Sequence, residues 1–142
     1  MGDAIKSTPL ISGIGALRLK VLRECDRLFR EKNFPLDMDQ VSVLRLLNSS
    51  PALSQKEIGA ILQRDKGSVN RTISVFSGKG IVKVVTDKQD KRMTRIELTM
   101  EGKNLAKQTE MVLAKYEKHL ASLFSEEEYQ TFNLLANKLL TK

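Results

Sequence analysis

Ser68, Asn70, Arg71 and Ser74 crowd hydrogen-bonding side chains into about two helical turns. An Arg guanidinium can grip the two acceptors of a guanine edge, and an Asn amide can pair with adenine; each such pair is worth about 1–3 kcal/mol of discrimination. The serines can contribute base or phosphate contacts. Further along, Asp90 and Arg92 flank Lys91, with Lys88 just before. A carboxylate two residues away can hold a guanidinium by a charge-assisted pair. Arginine held in that way suits a narrow, electronegative minor groove. Gln55, Lys56, Arg64 and Lys66 add donors of the kind that clamp phosphates and fix register. Lys88 and Lys91 extend that set. Together this is the chemistry of duplex recognition, with base contacts at Ser68, Asn70, Arg71 and Ser74.

Elements must hold these groups in place. Ser54 to Glu57 has capping-box spacing and opens a short helix with Ile58, Ile61 and Leu62 inward. Asp65 can cap the next helix, whose buried stripe is Val69, Ile73 and Phe76. That stripe turns Gly67, Ser68, Asn70, Arg71 and Ser74 outward. Gly80 supplies a left-handed stop. Ile81 to Thr86 is β-branched and strand-like, Asp87 to Arg92 turns a charged hairpin, and Thr94 to Leu98 returns. Ala52-Leu53 is expected to add a small edge strand against this hairpin. Helix, turn, helix and basic hairpin form the plan of a winged helix-turn-helix. Such a module seats one helix in the major groove and a β-wing beside the backbone.

Long amphipathic helices flank this plan. One runs from Leu10 to about Asn33, with Ile14, Leu17, Val21, Cys25 and Leu28 on one face and Leu22 and Phe29 alongside. Pro35 stops it by pushing Phe34 out of the helical region. A second opens on the capping box Asp37–Gln40, carries Val41, Leu44, Leu46 and Leu47, and breaks at Asn48-Ser49-Ser50-Pro51. Thr99 caps a fifth helix reaching about Leu123, with Leu105, Val112, Tyr116 and Leu120 roughly aligned. Ser125 to Glu128 caps a last helix bearing Phe132, Leu135 and Leu139. Residues 1 to about 8 are expected to be disordered. The expected class is mainly α with a small β-wing, in one domain over residues 1–142. Its DNA-binding lobe spans about 36–98; the helices at about 10–33 and 99–142 are surplus to such a lobe and suit a helical dimer interface.

Composition narrows the function classes. The formal net charge is +7, and the stretch Arg64–Arg95 holds nine basic residues against three acidic ones, nearly the whole excess. Such local positive charge on a compact module is the footprint of a polyanion partner. Aromatics are only 5% and Trp is absent, which disfavours single-strand binding by base stacking. No apolar run approaches a membrane span of roughly 18 residues. No secretory leader is expected, and the expected compartment is the cytoplasm. With a single cysteine, Cys25, and a single histidine, His119, neither a disulfide nor a metal-ligand cluster is expected. Nothing pairs a nucleophile with a base, so neither an enzyme nor a cofactor is expected. Cys25 reads first as a buried core thiol. The alternative is a peroxide-sensing thiolate, which needs access and a lowered pKa.

The residues resemble one family: the multiple-antibiotic-resistance regulators, or MarR family. Its wing signature, Asp-x-Arg followed by Leu-Thr-x-x-Gly, stands here as Asp90-Lys91-Arg92 and Leu98-Thr99-Met100-Glu101-Gly102. Lys79-Gly80-Ile81-Val82 matches the end of its recognition helix. The resemblance departs at Val84 and Val75, where the family often has arginine. It implies a homodimer clamped by the terminal helices, bound to a pseudopalindromic operator and usually repressing. It also implies release by a small phenolic or anionic effector, or by thiol oxidation. Two other readings of the same residues stay open: a winged-helix protein–protein module and a non-specific architectural DNA-binding protein.

Overall fold

A computed structural model describes residues 7–142; the expectation of disorder falls mostly on residues 1–6, which lie outside them. Six helices and two strands follow in the order α1 (Pro9–Glu31), α2 (Met38–Ser49), α3 (Gln55–Leu62), α4 (Lys66–Gly78), β1 (Val82–Thr86), β2 (Thr94–Leu98), α5 (Met100–Ser122) and α6 (Glu126–Leu140). The chain divides into two compact units within α5, the first ending at Thr109 and the second being Glu110–Lys142.

Local sequence sets most boundaries of the first unit. Thr8 precedes α1 and Pro9 occupies its first turn, where a missing N–H costs nothing. Asn33, at φ 51°, ends the helical run before Pro35. Asp37 and Gln40 form the capping box of α2, and Ser54 and Glu57 that of α3. Asp65 caps α4 by accepting the Ser68 N–H at 2.8 Å. The α4 exit is a Schellman turn: the Ile81 N–H reaches the Phe76 carbonyl at 2.8 Å and the Gly80 N–H reaches Ser77 at 3.1 Å. Gly80 takes the positive φ of 73° that this turn requires.

The core of this unit is carried by α2, α3, α4 and the hairpin. Val43, Leu44, Ile58, Phe76 and Ile96 are fully buried, with Val41 and Val69 beside them. α2 is packed by α1, α3 and β2, so it buries more than one side. That explains Val43, which lies about 200° around the helix from Val41 and outside the expected stripe. Leu46 is only partly buried. Ile61, expected to face inward, is instead 55% exposed. An eight-residue helix offers one narrow buried stripe, and Ile58 with Leu62 occupies it.

The strands pair antiparallel with Val82 opposite Leu98, Val84 opposite Ile96 and Thr86 opposite Thr94. Leu53 adds the expected edge bridge to Ile96, through bonds of 3.3 and 2.7 Å. The Thr99 N–H bonds the Ile81 carbonyl at 3.0 Å and its hydroxyl reaches the Gly80 carbonyl at 2.5 Å. A Cβ on Gly102 would lie 2.1 Å from that same Ile81 carbonyl oxygen. The Leu-Thr-x-x-Gly run is therefore a close-approach device that seats the start of α5 on the root of the hairpin.

In α1 the expected apolar face is buried only at its C-terminal end. Cys25 and Phe29 are buried, while Leu10, Ile11, Ile14 and Leu17 are at least half exposed. Exposed i,i+3 and i,i+4 pairs line its polar side: Arg27 with Glu24 and Glu31, and Arg30 with Asp26. In the second unit, Val112 and Tyr116 are buried on α5. Ser125 and Glu128 form the α6 capping box. Phe124 stacks on Phe132 at 5.8 Å, and the Tyr129 hydroxyl donates to Glu117 at 3.0 Å. Phe132, Leu134, Leu135 and Leu139 nevertheless remain exposed on α6.

Candidate nucleic-acid interface

α3 and α4 meet around Gln63, which adopts the left-handed conformation, and Asp65, which caps α4. On α4 the inward residues are Val69, Thr72, Ile73 and Phe76. Asn70, Arg71 and Ser74 are consequently exposed on its opposite side, as the periodicity requires. Ser68 is only partly exposed, since it sits in the capped first turn. Of the four residues expected to meet bases, Asn70, Arg71 and Ser74 are the freest to do so.

Gln55, Lys56, Arg64 and Lys66 come together as the rim of one cleft of about 500 Å³ between α3 and α4, floored by Gly59, Ala60 and Val69. Sequence spacing alone separates these four by up to eleven residues; the helical turn joins them. Arg64 differs from the others. Its side chain is largely covered and lies 3.4 Å from the Asp39 carboxylate, so its charge is partly engaged already.

At the wing, Lys88, Lys91 and Arg92 are exposed. Asp90 accepts the Arg92 backbone N–H at 3.0 Å and its Nε at 3.3 Å. The Arg92 side chain is otherwise 92% exposed, projecting from a turn rather than lying on the protein. The expected Asp90–Arg92 pair therefore exists, and it fixes the base of the side chain while leaving its end free.

Two residues of this region were not singled out from spacing: Asp87 and Arg95. Asp87 Oδ1 accepts the N–H groups of Gln89 at 2.8 Å and Asp90 at 3.3 Å. Its Oδ2 accepts from Arg95 Nε at 2.8 Å. Arg95 Nη1 also donates to Glu57 Oε1 at 3.1 Å and to the Ala52 carbonyl at 3.4 Å. Hydrogen bonds to the Gln89 amide and to Arg95 hold the Asp87 carboxyl below its ordinary range. Bonds within the Ser54 capping box, then Arg95, do the same for Glu57. The Arg95 guanidinium is in turn shifted upward, chiefly by Asp87. The available signal was an Asp at the start of the hairpin turn with an Arg just past its end, on the returning strand.

Cys25 lies apart from these groups, buried on α1. Burial pushes its thiol pKa up, with Arg45 opposing and Glu24 adding. Such a thiol is a weak nucleophile. Among the described residues no cluster of His, Cys, Asp or Glu could hold a metal ion, and no helix is long and apolar enough to cross a membrane.

Comparison with known proteins agrees with this geometry. Residues 34–93, which hold α2, α3, α4, β1 and the hairpin turn, match the MarR family. An HTH-type transcriptional regulator, BilQ of Clostridium symbiosum, is 30% identical over 90 residues, covering 63% of this chain and 62% of that protein. The chain thus matches less than two thirds of that relative's length. The reduced form of Escherichia coli MarR shares 25% identity with a TM-score of 0.72, covering 89% of this chain and 95% of that one. Streptococcus pneumoniae FabT, solved in complex with DNA, superposes with a TM-score of 0.83 at 16% identity, over 95% of both chains. These relatives are regulators rather than enzymes, and their fold is the winged helix. The chain is therefore similar to the MarR family in sequence over residues 34–93 and in fold over nearly all of its length.

Proposed function

We propose that this chain is a sequence-specific, duplex-DNA-binding transcription regulator that works in the cytoplasm as a homodimer and represses. The observation that carries the reading is the outward face of α4. Asn70, Arg71 and Ser74 stand exposed on a helix whose opposite side is locked into the core. Base readout falls to those three and Ser68. Gln55, Lys56, Lys66 and, in part, Arg64 clamp phosphates around the cleft. Lys88 and Lys91 do so at the wing, where Arg92 enters the minor groove. The DNA complex of FabT supports this assignment, since this chain shares its fold.

The dimer reading draws on apolar surface. Isolated soluble domains seldom leave large contiguous apolar patches in water. Here Leu10, Ile11, Ile14 and Leu17 are exposed on α1, and Leu134, Leu135, Leu139 and Leu140 on α6. A two-fold dimer would present two α4 helices to successive major grooves, about 34–36 Å apart. A pseudopalindromic operator follows from that symmetry. Release by a small phenolic or anionic effector, rather than by oxidation, suits the buried, upward-shifted Cys25 thiol.

The test is a binding titration with a duplex from upstream of the protein's own gene and a scrambled duplex, at two salt concentrations. A regulator binds the first at least about a thousand-fold more tightly. Equal, strongly salt-dependent binding to both indicates an architectural protein. Binding to neither, including duplexes selected from a random pool, indicates a winged-helix protein–protein module.

A further inference from the structure

We propose that Arg95 is a positioning residue for DNA binding. It ties the wing tip to the first turn of α3 through a continuous polar relay that ends at Arg92. The inference rests on the reading of Arg92 as a DNA contact.

The hairpin is two-stranded, and its bridge to Leu53 lies at Ile96, at the middle pair of the ladder. An isolated two-stranded hairpin is marginal in water. The segment Asp87–Met93 extends beyond the last ladder pair, Thr86 with Thr94. Backbone bonds close the segment on itself, from the Asp87 N–H to the Met93 carbonyl at 2.9 Å and from the Met93 N–H to the Asp90 carbonyl at 3.0 Å, and the relay adds the side-chain bonds that tie it to α3. Glu57 stands on the first turn of α3, where its Oε1 also accepts the Ser54 N–H at 3.3 Å. Arg95 Nη1 bonds Glu57 at 3.1 Å and Arg95 Nε bonds Asp87 at 2.8 Å. The other Asp87 oxygen gathers the Gln89 and Asp90 amides. Asp90 then holds Arg92 by two bonds. Every link is a named hydrogen bond, and the chain of bonds runs from the helix-turn-helix to the wing's exposed guanidinium without interruption.

Arginine is needed at this position because its fork spreads several donors in one plane; lysine offers only a compact point charge. The Asp87 side chain is 12% exposed, against 33% for Arg95 and 44% for Glu57, so Asp87 is the sheltered hinge of the relay. Pairs this accessible add little to global stability. Their value is preorganisation: an Arg92 already aimed loses less freedom on binding.

Asp87→Asn gives the sharpest test, because two readings of it differ in sign. It removes a negative charge beside the polyanion, so simple electrostatics predicts tighter binding. The relay predicts weaker binding, by about tenfold, equivalent to 1.4 kcal/mol. Arg95→Lys keeps the charge and breaks the fork, and a similar loss is expected. Glu57→Gln serves as a variant that keeps the α3 capping box, since Gln also completes it. The full-length proteins are titrated onto the tightest duplex that the unmodified chain selects from a random pool, alone and with Arg92→Ala. The relay predicts that the losses from Asp87→Asn and Arg95→Lys vanish once Arg92 is absent. Losses that persist in that background, or an Asp87→Asn protein that binds as well or better, overturn the proposal. Hydrogen exchange of the Gln89 and Asp90 amides without DNA gives the independent arm. Faster exchange in Arg95→Lys is expected and unchanged exchange overturns the relay. If the unmodified chain selects no duplex, the regulator reading fails and the exchange arm still judges the relay.

Discussion

Replacing Gly102 with alanine should destabilise the protein, although helix propensity alone says the reverse. Gly102 lies in the first turn of α5. In an unconstrained helix, Gly→Ala would gain about 1 kcal/mol. Here the new methyl carbon would stand 2.1 Å from the Ile81 carbonyl oxygen, and 3.1 Å from both the Ile81 carbonyl carbon and Leu98 Cδ2. Relief to only 3.0 Å requires the two backbones to part by about 0.9 Å. Neither side is a flexible side chain that could swing away. The separation falls on the bonds that join these backbones: Thr99 N–H to Ile81 at 3.0 Å and Thr99 hydroxyl to Gly80 at 2.5 Å. Overpacking of this kind costs about 1–3 kcal/mol. Weakening each hydrogen bond adds roughly 0.5–1.5 kcal/mol. After subtracting the propensity gain, the net loss is about 1–5 kcal/mol.

Urea unfolding followed by circular dichroism measures this directly. The midpoint should fall while the slope stays constant, since the surface exposed on unfolding hardly changes. For a chain of this length, a loss of that size lowers Tm by roughly 3–17 °C. A Gly102→Ala protein as stable as the parent, or more so, would refute the close-approach account of the Leu-Thr-x-x-Gly run.

Other outcomes follow from the same coordinates. Gly78→Ala meets nothing within 4 Å at the new Cβ and should stabilise the protein by about 0.4–1 kcal/mol, read in the same urea experiment. Arg71→Ala should relax preference at one operator position at a cost of about 1–3 kcal/mol, whereas Lys56→Ala should weaken all duplexes alike and lower the salt slope by about one, both measured by titration. Leu135→Glu on the exposed face of α6 should convert a species of twice 16.0 kDa into one of that mass, as seen by light scattering. Glu57 and Asp87 have pKa values held below their ordinary 4.5 and 3.8, so the stability they lend is complete above those values and is lost as pH falls through the lower folded values. Thermal unfolding across that acid range should show a smaller drop for a Glu57→Gln, Asp87→Asn protein than for the parent.

The caps and the hairpin were legible in the sequence because they depend on neighbours three or four residues away. Asp37–Gln40, Ser54–Glu57 and Ser125–Glu128 all form reciprocal caps where the spacing placed them. The outward face of α4 was legible for the same reason, since a buried stripe of Val69, Ile73 and Phe76 leaves one way for Asn70, Arg71 and Ser74 to point. Burial that depends on distant partners was less legible. Val43 is buried because α2 is flanked on several sides, which no period within α2 reveals. Ile61 is exposed because α3 ends too soon to need a wide apolar face. Arg95 looked like one more positive charge in a basic stretch. Its partners are eight residues away across a turn and thirty-eight away on α3, and only the folded chain brings them to one guanidinium.

The wing is thus held in two chemically different ways. Its strands are fixed by backbone and apolar groups: the Leu53–Ile96 bridge at mid-ladder, and buried Val82 and Leu98 with the Gly102 approach to Ile81 at the root. None of these titrates, and none is screened by salt. Its tip is fixed by carboxylates and guanidinium groups that remain partly open to water. A rigid root makes the tip's small motions matter, because the strands transmit little slack that could absorb them. Asp90 holds Arg92 directly, and Asp87 holds the turn that carries both, with Arg95 linking Asp87 to α3. The same partners hold the direction in which Arg92 points, which favours selectivity. An arginine on a bare, flexible hairpin would lack that direction and would lose more freedom on binding.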